Sequence, residues 1–168
     1  MTDEIRTARL LLRRARAEDI DPMHAILSNR EATRYWSTLP FTELAQTEEW
    51  MAPMLDPSEG SGDEFVIVAD GRMIGKIGCW QPPEIGFILE PATWGSGYAG
   101  EALAAFIDHR RARGAQEITA DVDPRNAAAL ALLVKAGFVE TGRAERTFKL
   151  GDEWCDSVYL RLDLQPLS

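Results

Sequence analysis

The sequence predicts an α/β fold in which a mixed sheet carries helices on both of its faces. Short apolar runs alternate with turn residues, and Asp70-Gly71 between two such runs is a strong hairpin signal. From Ala99 to Ile107 apolar residues recur at i, i+3, i+4, i+7 and i+8, which is the period of an amphipathic helix. A strand at residues 84–89 leads into that helix through a glycine-rich turn, so strand and helix signals alternate along the chain.

The amino-terminal half is predicted to form one strand, two helices and a hairpin. The first strand covers residues 9–14, and the helix after it is expected to have Asp19 as its cap. A second helix begins near Thr42 and is expected to kink or end at Pro53. A loop and the two hairpin strands follow, at residues 57–62, 65–69 and 73–80.

The carboxy-terminal half alternates strands with two helices. Gly114 ends the helix that follows the glycine-rich turn, and Gly137 ends a second helix that begins at Asn126. The strands of this half are predicted at residues 84–89, 117–122, 139–148 and 155–164. The chain has no internal repeat and no break in composition, so we expect a single domain over residues 1–168.

Composition and charge restrict the class of function. Of the 168 residues 45% are hydrophobic and 27% are charged, as in an ordinary globular protein. The net charge of −9 disfavours a nucleic-acid partner, which needs a basic surface, and permits a cationic substrate. No apolar run approaches a membrane span and no signal peptide is recognisable, so we expect a cytoplasmic protein without a membrane partner. Cys79 and Cys155 are expected to stay free thiols there.

Three glycines, Gly95, Gly97 and Gly100, have the spacing Gly-x-Gly-x-x-Gly at the start of a predicted helix. Such a turn can hold phosphate, because the backbone approaches closely and the first helical N–H groups point at the anion. The turn is not a Walker loop, since no Gly-Lys-Ser/Thr follows. A dinucleotide fold is also disfavoured, because its glycine turn follows the first strand and this one lies past the middle of the chain.

A second motif, the run from Asp121 to Phe138 with Asn126 at a helix start, accompanies the glycine turn. Together the two motifs resemble the GCN5-related N-acetyltransferases (GNAT). The form Trp-Gly-x-Gly-Tyr-Ala, the opening Thr7-Ala-Arg9-Leu-Leu-Leu-Arg13 and the closing Gly151-Asp-Glu-Trp154-Cys-Asp156-Ser-Val-Tyr159 are similar to the branch that includes the ribosomal-protein alanine N-acetyltransferases. The resemblance runs from residue 7 to residue 164, and it implies a GNAT-type, mostly antiparallel twisted sheet.

The resemblance also implies acetyl-coenzyme A (acetyl-CoA) as acyl donor, with direct transfer to a primary amine in a ternary complex. The glycine turn would hold the pyrophosphate, and Asn126 would bind the pantetheine arm besides capping its helix. The main chain of Ile88 and Leu89 would pair with that arm like an added strand, and an N–H near Phe87 or Ile88 would polarise the thioester. The implied cofactor-binding residues are Ile88, Leu89, Gly95, Ser96, Gly97, Tyr98, Ala99, Gly100 and Asn126.

Glu84 is the candidate general base. It begins the strand that ends at the glycine turn, and the apolar side chains of Trp80 and Ile85 could raise its pKa toward neutrality. An exposed glutamate without a role is the open alternative. The family's usual general acid is a tyrosine at the position of Leu133, so we assign no acid.

Other chemically active side chains are expected to be structural. Trp94 is interpreted as a packing residue, Glu101 as a partner of the helix dipole, and His24 and His109 as histidines without a catalytic partner. Cys79 could lie near the thioester as a small hydrophobic residue. No spacing of His, Cys, Asp and Glu indicates a metal site.

The acceptor pocket is expected between the first two helices and the last hairpin. Its expected walls are Tyr35, Trp36, Phe41, Arg146, Phe148 and Trp154. The sequence leaves four kinds of amine as possible acceptors: a protein N-terminus, a polyamine, an amino sugar and an amino acid. It also leaves the oligomeric state open between a monomer and a homodimer. Another acyl-CoA as donor, or a catalytically weak acyl-CoA-binding or regulatory module, is the alternative function.

Overall fold

The computed structural model describes residues 4–56 and 62–165. Within them the strands are β1 (Glu4–Arg6), β2 (Leu10–Arg13), β3 (Asp63–Ala69), β4 (Arg72–Gln81), β5 (Glu84–Leu89), β6 (Glu117–Val122), β7 (Val139–Leu150) and β8 (Glu153–Asp163). The α-helices are α1 (Ile20–Leu27), α2 (Leu44–Leu55), α3 (Tyr98–Ala112) and α4 (Ala127–Lys135).

The strands form one sheet in the order β1-β2-β3-β4-β5-β6-β8-β7. Neighbouring strands are antiparallel except for β5 and β6, which run parallel because α3 connects them as a crossover. The mixed, mostly antiparallel sheet with helices on both faces that the sequence predicts is therefore confirmed.

Each face of the sheet has its own core. Phe65, Phe106 and Leu133 belong to the core under α3 and α4, whereas Met51 and Ile88 belong to the core under α1 and α2. Along a strand successive side chains point to opposite faces, so Ile85 and Leu89 of β5 join the first core while Ile88 joins the second. As a result β5 is covered by helices on both faces.

Several local predictions hold in the structure. Asp70 and Gly71 form the β3–β4 turn with positive φ angles of 51° and 74°, as a tight hairpin turn requires. The bounds of β5 and β6 agree with the predicted ranges 84–89 and 117–122. Gly114 and Gly137 follow α3 and α4 with φ angles of 83° and 107°. Turn residues therefore located these boundaries correctly.

The amino-terminal half differs from the prediction. β1 was not predicted, and α2 continues through Pro53 to Leu55, because the main-chain hydrogen bond that proline removes lies in the last turn. Asp19 does not cap α1 with its side chain. Its carboxylate accepts two hydrogen bonds from Arg13, at 2.8 and 2.9 Å, and one from the main-chain N–H of Arg16. Most of the predicted loop 57–62 lies outside the described residues.

Candidate functional site

β5 and β6 are paired only where they begin. The main-chain N–H of Thr119 donates to the oxygen of Pro83 at 2.9 Å, and Glu84 and Thr119 are the one registered pair between these two fully described strands. Beyond this pair β5 is hydrogen-bonded to β4 on one edge only. The sheet thus has a gap on the β6 side of β5 that leads toward the glycine turn.

The direction of each main-chain group of β5 follows from its hydrogen bonds. The N–H of Glu90 donates to Ile74 of β4, and the oxygen of Pro83 faces β6. Because these directions alternate along a strand, Phe87 and Leu89 present their main chain to the gap, while Ile88 presents its main chain to β4. The oxygen of Leu89 accepts a hydrogen bond from the Trp94 indole at 3.1 Å.

This arrangement bears on the expected pantetheine contacts. The sequence assigned Ile88 and Leu89, but the carbonyl of Ile88 lies against Gly75 of β4 and is turned away from the gap. The groups available in the gap are the N–H and carbonyl of Phe87 and the N–H of Leu89. The expected main-chain contact with the pantetheine arm is therefore open to Phe87 and not to Ile88, because β4 already occupies the edge of β5 that Ile88 faces.

The glycine turn presents donors and hides acceptors. Gly95 and Gly97 have φ angles of 80° and 82°, which side chains rarely adopt, and Gly97 precedes the first residue of α3. Six successive main-chain N–H groups, those of residues 95–100, have no acceptor in the part of the chain that the structure describes. Two carbonyls of the turn do have donors: Ser96 accepts from Arg9, and Gly97 from the N–H of Glu101 at 3.1 Å.

A row of free donors at a helix start is suited to an anion. Gly95, Ser96 and Gly97 are exposed, so the first half of the row is open to solvent. Gly100 lies inside α3, and a Cβ there would stand 3.5 Å from Leu132 of α4, an ordinary van der Waals contact. Trp94 is half exposed, and its indole binds the oxygen of Leu89 at the border of the turn.

Asn126 caps α4. Its Oδ1 accepts a hydrogen bond from the N–H of Ala129 at 3.2 Å, which confirms the structural half of its expected role. Among the described residues its amide nitrogen has no partner, and the side chain is half-buried. Asn126 lies four positions beyond the last residue of β6, the strand on the other side of the gap from β5.

Glu84 lies at the end of the gap away from the glycine turn. Its side chain is exposed, yet its pKa is raised above the usual value, first because surrounding protein displaces water and second because the Asp121 carboxylate repels a second negative charge. The raised pKa makes Glu84 a stronger base at neutral pH than an ordinary glutamate. The sequence anticipated the direction of this shift but not the contribution of Asp121.

Three segments converge at the end of β6, which in a parallel pair lies level with the glycine-turn end of β5. Arg125, in the turn before α4, binds Asp123 at 2.7 Å and Glu153 of β8 at 2.5 Å, and its guanidinium lies 5.7 Å from the ring centre of Tyr35. Trp36 covers β5, since a Cβ on Gly86 would stand 3.6 Å from its ring. Of the expected walls, Tyr35 thus meets the turn before α4, whose Arg125 also binds the last hairpin, while Trp36 lies against β5.

The remaining expected walls are less uniform. The Arg146 guanidinium lies 4.9 Å from the ring centre of Trp154, so these two residues form a pair on the β7–β8 hairpin, and Phe148 is half-buried on β7. Phe41 packs against the core under α1 and α2. Trp36 packs against the same core and is half-buried like Phe41, so the structure does not separate these two expected walls.

Other candidates of the sequence are structural. Burial raises the pKa of the Cys79 thiol to about 12, which makes it inert. His109 binds the Asp63 carboxylate at 2.9 Å, and His24 binds Thr47 at 2.7 Å. Leu133 is fully buried in the core under α3 and α4. In the described residues no group of His, Cys, Asp and Glu is arranged to hold a metal ion, and no helix is long and apolar enough to cross a membrane.

Comparison with known proteins agrees with this geometry. The profile of the acetyltransferase (GNAT) domain matches residues 9–139. The chain is 32% identical to an uncharacterized N-acetyltransferase, p20, of Bacillus licheniformis over 146 residues, which are 81% of this chain and 82% of that protein. It is 26% identical to the L-methionine sulfoximine/L-methionine sulfone acetyltransferase of Pseudomonas aeruginosa, over 92% of this chain and 95% of that protein.

Solved structures share the fold. Spermidine N-acetyltransferase from Vibrio cholerae, in complex with CoA and spermine, has a TM-score of 0.83 at 21% identity, over 94% of this chain and 97% of that one. RimL, the ribosomal L7/L12 alpha-N-protein acetyltransferase in complex with CoA, has a TM-score of 0.83 at 19% identity, over 96% and 98%. The profile match and the p20 relative both show the family, so the chain belongs to the GNAT acetyltransferase family and is an N-acetyltransferase.

Proposed function

We propose that this protein transfers an acetyl group from acetyl-CoA to a primary amine, directly and within a ternary complex. One observation carries the proposal: the N–H groups of residues 95–100, which have no acceptor among the described residues, stand at the end of a strand whose edge is open along the gap. A ligand with an anionic centre and an extended amide-containing arm fits that combination of donors. CoA has this chemistry, and two neighbours of the same fold are CoA complexes.

The residues that would hold the donor follow from these positions. The N–H groups of residues 95–100 bind the pyrophosphate, and the free amide of Asn126 binds the pantetheine arm from the other side of the gap. Phe87 and Leu89 pair with the arm through their main chain. When bound, acetyl-CoA supplies the thioester, whose carbonyl carbon bonds to the amine nitrogen as its bond to sulfur breaks.

Glu84 prepares the acceptor. An amine is largely protonated at neutral pH and cannot attack until it loses a proton. Glu84 takes that proton, directly or through water, and the raised pKa of its carboxyl favours this role. The N–H of Phe87 polarises the thioester carbonyl. Solvent supplies the proton to the leaving sulfur, because Leu133 is apolar and buried where the family's usual acid would stand.

The acceptor is a small-molecule amine or a peptide N-terminus. The Pseudomonas aeruginosa relative is named for an amino-acid analogue, and the neighbours include a polyamine acetyltransferase and a protein N-terminal acetyltransferase. The weak-binding or regulatory alternative is not favoured, because the relatives that match along most of the chain are N-acetyltransferases. A cytoplasmic location stays a prediction, as does the monomer or homodimer.

The test is release of free thiol from acetyl-CoA in the presence of an amine panel. The panel contains methionine sulfoximine, spermidine, an amino sugar and short peptides that begin with Ala or Ser. We expect turnover with at least one amine, and a loss of roughly 100-fold in Glu84→Gln, by the usual scale of general-base catalysis.

Asp108→Asn is the matched control for that loss of charge. It removes an exposed carboxylate on α3, far from the gap, and should keep wild-type turnover. Wild-type turnover in Glu84→Gln would exclude Glu84 as the base. No thiol release with any amine, in a protein that binds CoA, would contradict the proposed transfer.

A further inference from the structure

Arg9 contacts the glycine turn from the loop between β1 and β2. Its Nη1 donates to the main-chain oxygen of Ser96 at 2.7 Å, across 87 positions of sequence. Its Nη2 lies 3.2 Å from the point where a Cβ on Gly97 would stand. The guanidinium also covers the ring of Tyr98, at 4.5 Å from the ring centre. A cation is therefore fixed against the turn whose N–H groups face solvent.

Glu101 and Thr7 hold Arg9 in this place. One carboxylate oxygen of Glu101 accepts from Nε of Arg9 at 2.8 Å, and the other accepts from the main-chain N–H of Arg9 at 2.8 Å. The Thr7 hydroxyl donates to the same second oxygen. These donors, first Thr7 and then Arg9, lower the pKa of Glu101, so its carboxylate is charged at neutral pH.

The hydrogen bond from Arg9 to the oxygen of Ser96 determines the direction in which the N–H of Gly97 points. In a trans peptide the carbonyl of one residue and the N–H of the next point in opposite directions. Because Arg9 holds the carbonyl of Ser96, the N–H of Gly97 is aimed away from Arg9, toward the open side of the turn. The direction of this donor is therefore fixed before any ligand arrives.

The ion pair of Arg9 with Glu101 determines the local charge at the start of α3. Glu101 lies in the first turn of α3, close to the N–H groups that would face phosphate. A bare carboxylate there would repel an anion, whereas an ion pair with Arg9 leaves the local charge near zero. The sequence assigned Glu101 to the helix dipole alone, and the structure adds that its charge is matched by Arg9.

We propose that Arg9 is a positioning residue for the pyrophosphate of the acyl donor, and that Glu101 and Thr7 position Arg9 in turn. The inference rests on the proposed function, since it concerns the same turn. Arg9 acts in two ways: it aims the Gly97 N–H, and it neutralises Glu101.

The experiment compares Arg9→Gln, Glu101→Gln and the double variant, with Arg6→Gln as matched control. Arg6 is a neighbouring arginine whose exposed side chain makes one long ion pair with Glu4, at 3.7 Å. Glutamine keeps part of the aliphatic stem but removes the guanidinium and its charge. The affinity for CoA is measured by calorimetry, and KM is measured for acetyl-CoA and for S-acetylpantetheine, which has the thioester and the arm but no phosphate.

We expect Arg9→Gln to raise the Kd of CoA by about 10- to 100-fold, because the charge-assisted hydrogen bond from the Gly97 N–H to the phosphate is misaimed and the Glu101 charge is unmatched. The KM for S-acetylpantetheine should stay unchanged, and Arg6→Gln should bind CoA like the wild type. The double variant should bind CoA more tightly than Arg9→Gln, because it no longer carries an unmatched carboxylate.

Several results would overturn the inference. Wild-type CoA affinity in Arg9→Gln would do so, and so would an equal rise in KM for S-acetylpantetheine, which indicates a general distortion. A double variant no better than Arg9→Gln would remove the neutralising role. If Arg9→Gln does not fold, Thr7→Val loosens Glu101 alone and should still raise the Kd of CoA a few-fold. An unchanged Kd in Thr7→Val would refute the positioning of Arg9 by Glu101 and Thr7. If the wild type itself does not bind CoA, the proposed function fails as well.

Discussion

Substitution of Gly97 by glutamate tests the anion site at its centre. Gly97 has a φ angle of 82°, so any side chain there is strained by roughly 1–2 kcal/mol. The new carboxylate also stands beside the N–H groups that would face the pyrophosphate. Two unit charges about 4 Å apart repel by between about 1 and 4 kcal/mol near a protein surface. That range corresponds to a rise of roughly 5- to 1000-fold in Kd.

The position of Arg9 beside Gly97 narrows the expected range of the rise in Kd. A Cβ on Gly97 would lie 3.2 Å from Nη2 of Arg9, so the new carboxylate pairs in part with that guanidinium. Such pairing weakens the repulsion, but it also draws Arg9 away from Ser96. We therefore expect CoA affinity to fall by about 10- to 100-fold, measured by calorimetry at constant ionic strength.

Gly114→Glu is the matched control. Gly114 has nearly the same φ angle, 83°, and a Cβ there meets nothing within 4 Å. Its carboxylate would stand at the carboxyl end of α3, where the helix dipole disfavours an anion, so this variant should lose at least as much stability as Gly97→Glu. Only Gly97→Glu should lose CoA affinity. Equal CoA binding by the two variants would refute the pyrophosphate assignment.

Three further predictions follow from side chains at the gap. Asn126→Ala should lose about 1 kcal/mol of stability with the cap and also weaken CoA binding, whereas Asn126→Ser keeps a cap and should weaken CoA binding alone; an unchanged Kd in both would leave Asn126 only a cap. Leu133→Tyr should cost roughly 1–3 kcal/mol in urea melts, because the site is fully buried, and should raise turnover little; a large gain at full stability would contradict this. Asp121→Asn removes a negative charge beside Glu84, which lowers the Glu84 pKa, so the acidic limb of the kcat/KM profile should move to lower pH; a limb that stays in place would separate Glu84 from that limb.

The parts of the fold that the sequence predicted correctly are those with a local cause. Asp70-Gly71 needs no distant partner to form its turn, and Gly114 and Gly137 end helices through their own φ angles. β1 escaped prediction because three residues, only one of them partly buried, give no periodicity. Pro53 led to a wrong bound for α2, because the effect of a proline depends on how much helix follows it. Here only Met54 and Leu55 follow Pro53 in the helix.

The candidate site likewise contains some residues that a local sequence pattern identifies and others that only the folded structure identifies. The glycine spacing is local, so Gly95 and Gly97 could be named from the sequence. Whether Phe87 or Ile88 faces the gap depends on which edge of β5 is taken by β4, and that pairing is a property of the whole sheet. The contact of Arg9 with Glu101 joins positions 92 residues apart, and no pattern in a single sequence indicates it.

An acidic protein that binds a polyanionic donor needs a local source of positive potential. The net charge of −9 would disfavour CoA if the whole surface acted uniformly. At the glycine turn the potential comes from main-chain dipoles, because the N–H groups of residues 95–100 are free while the carbonyls of Ser96 and Gly97 are bound within the protein. Such dipoles do not change the net charge. The overall acidity can then remain available for a cationic amine, while Arg9 cancels the charge of Glu101, a carboxylate in the first turn of α3.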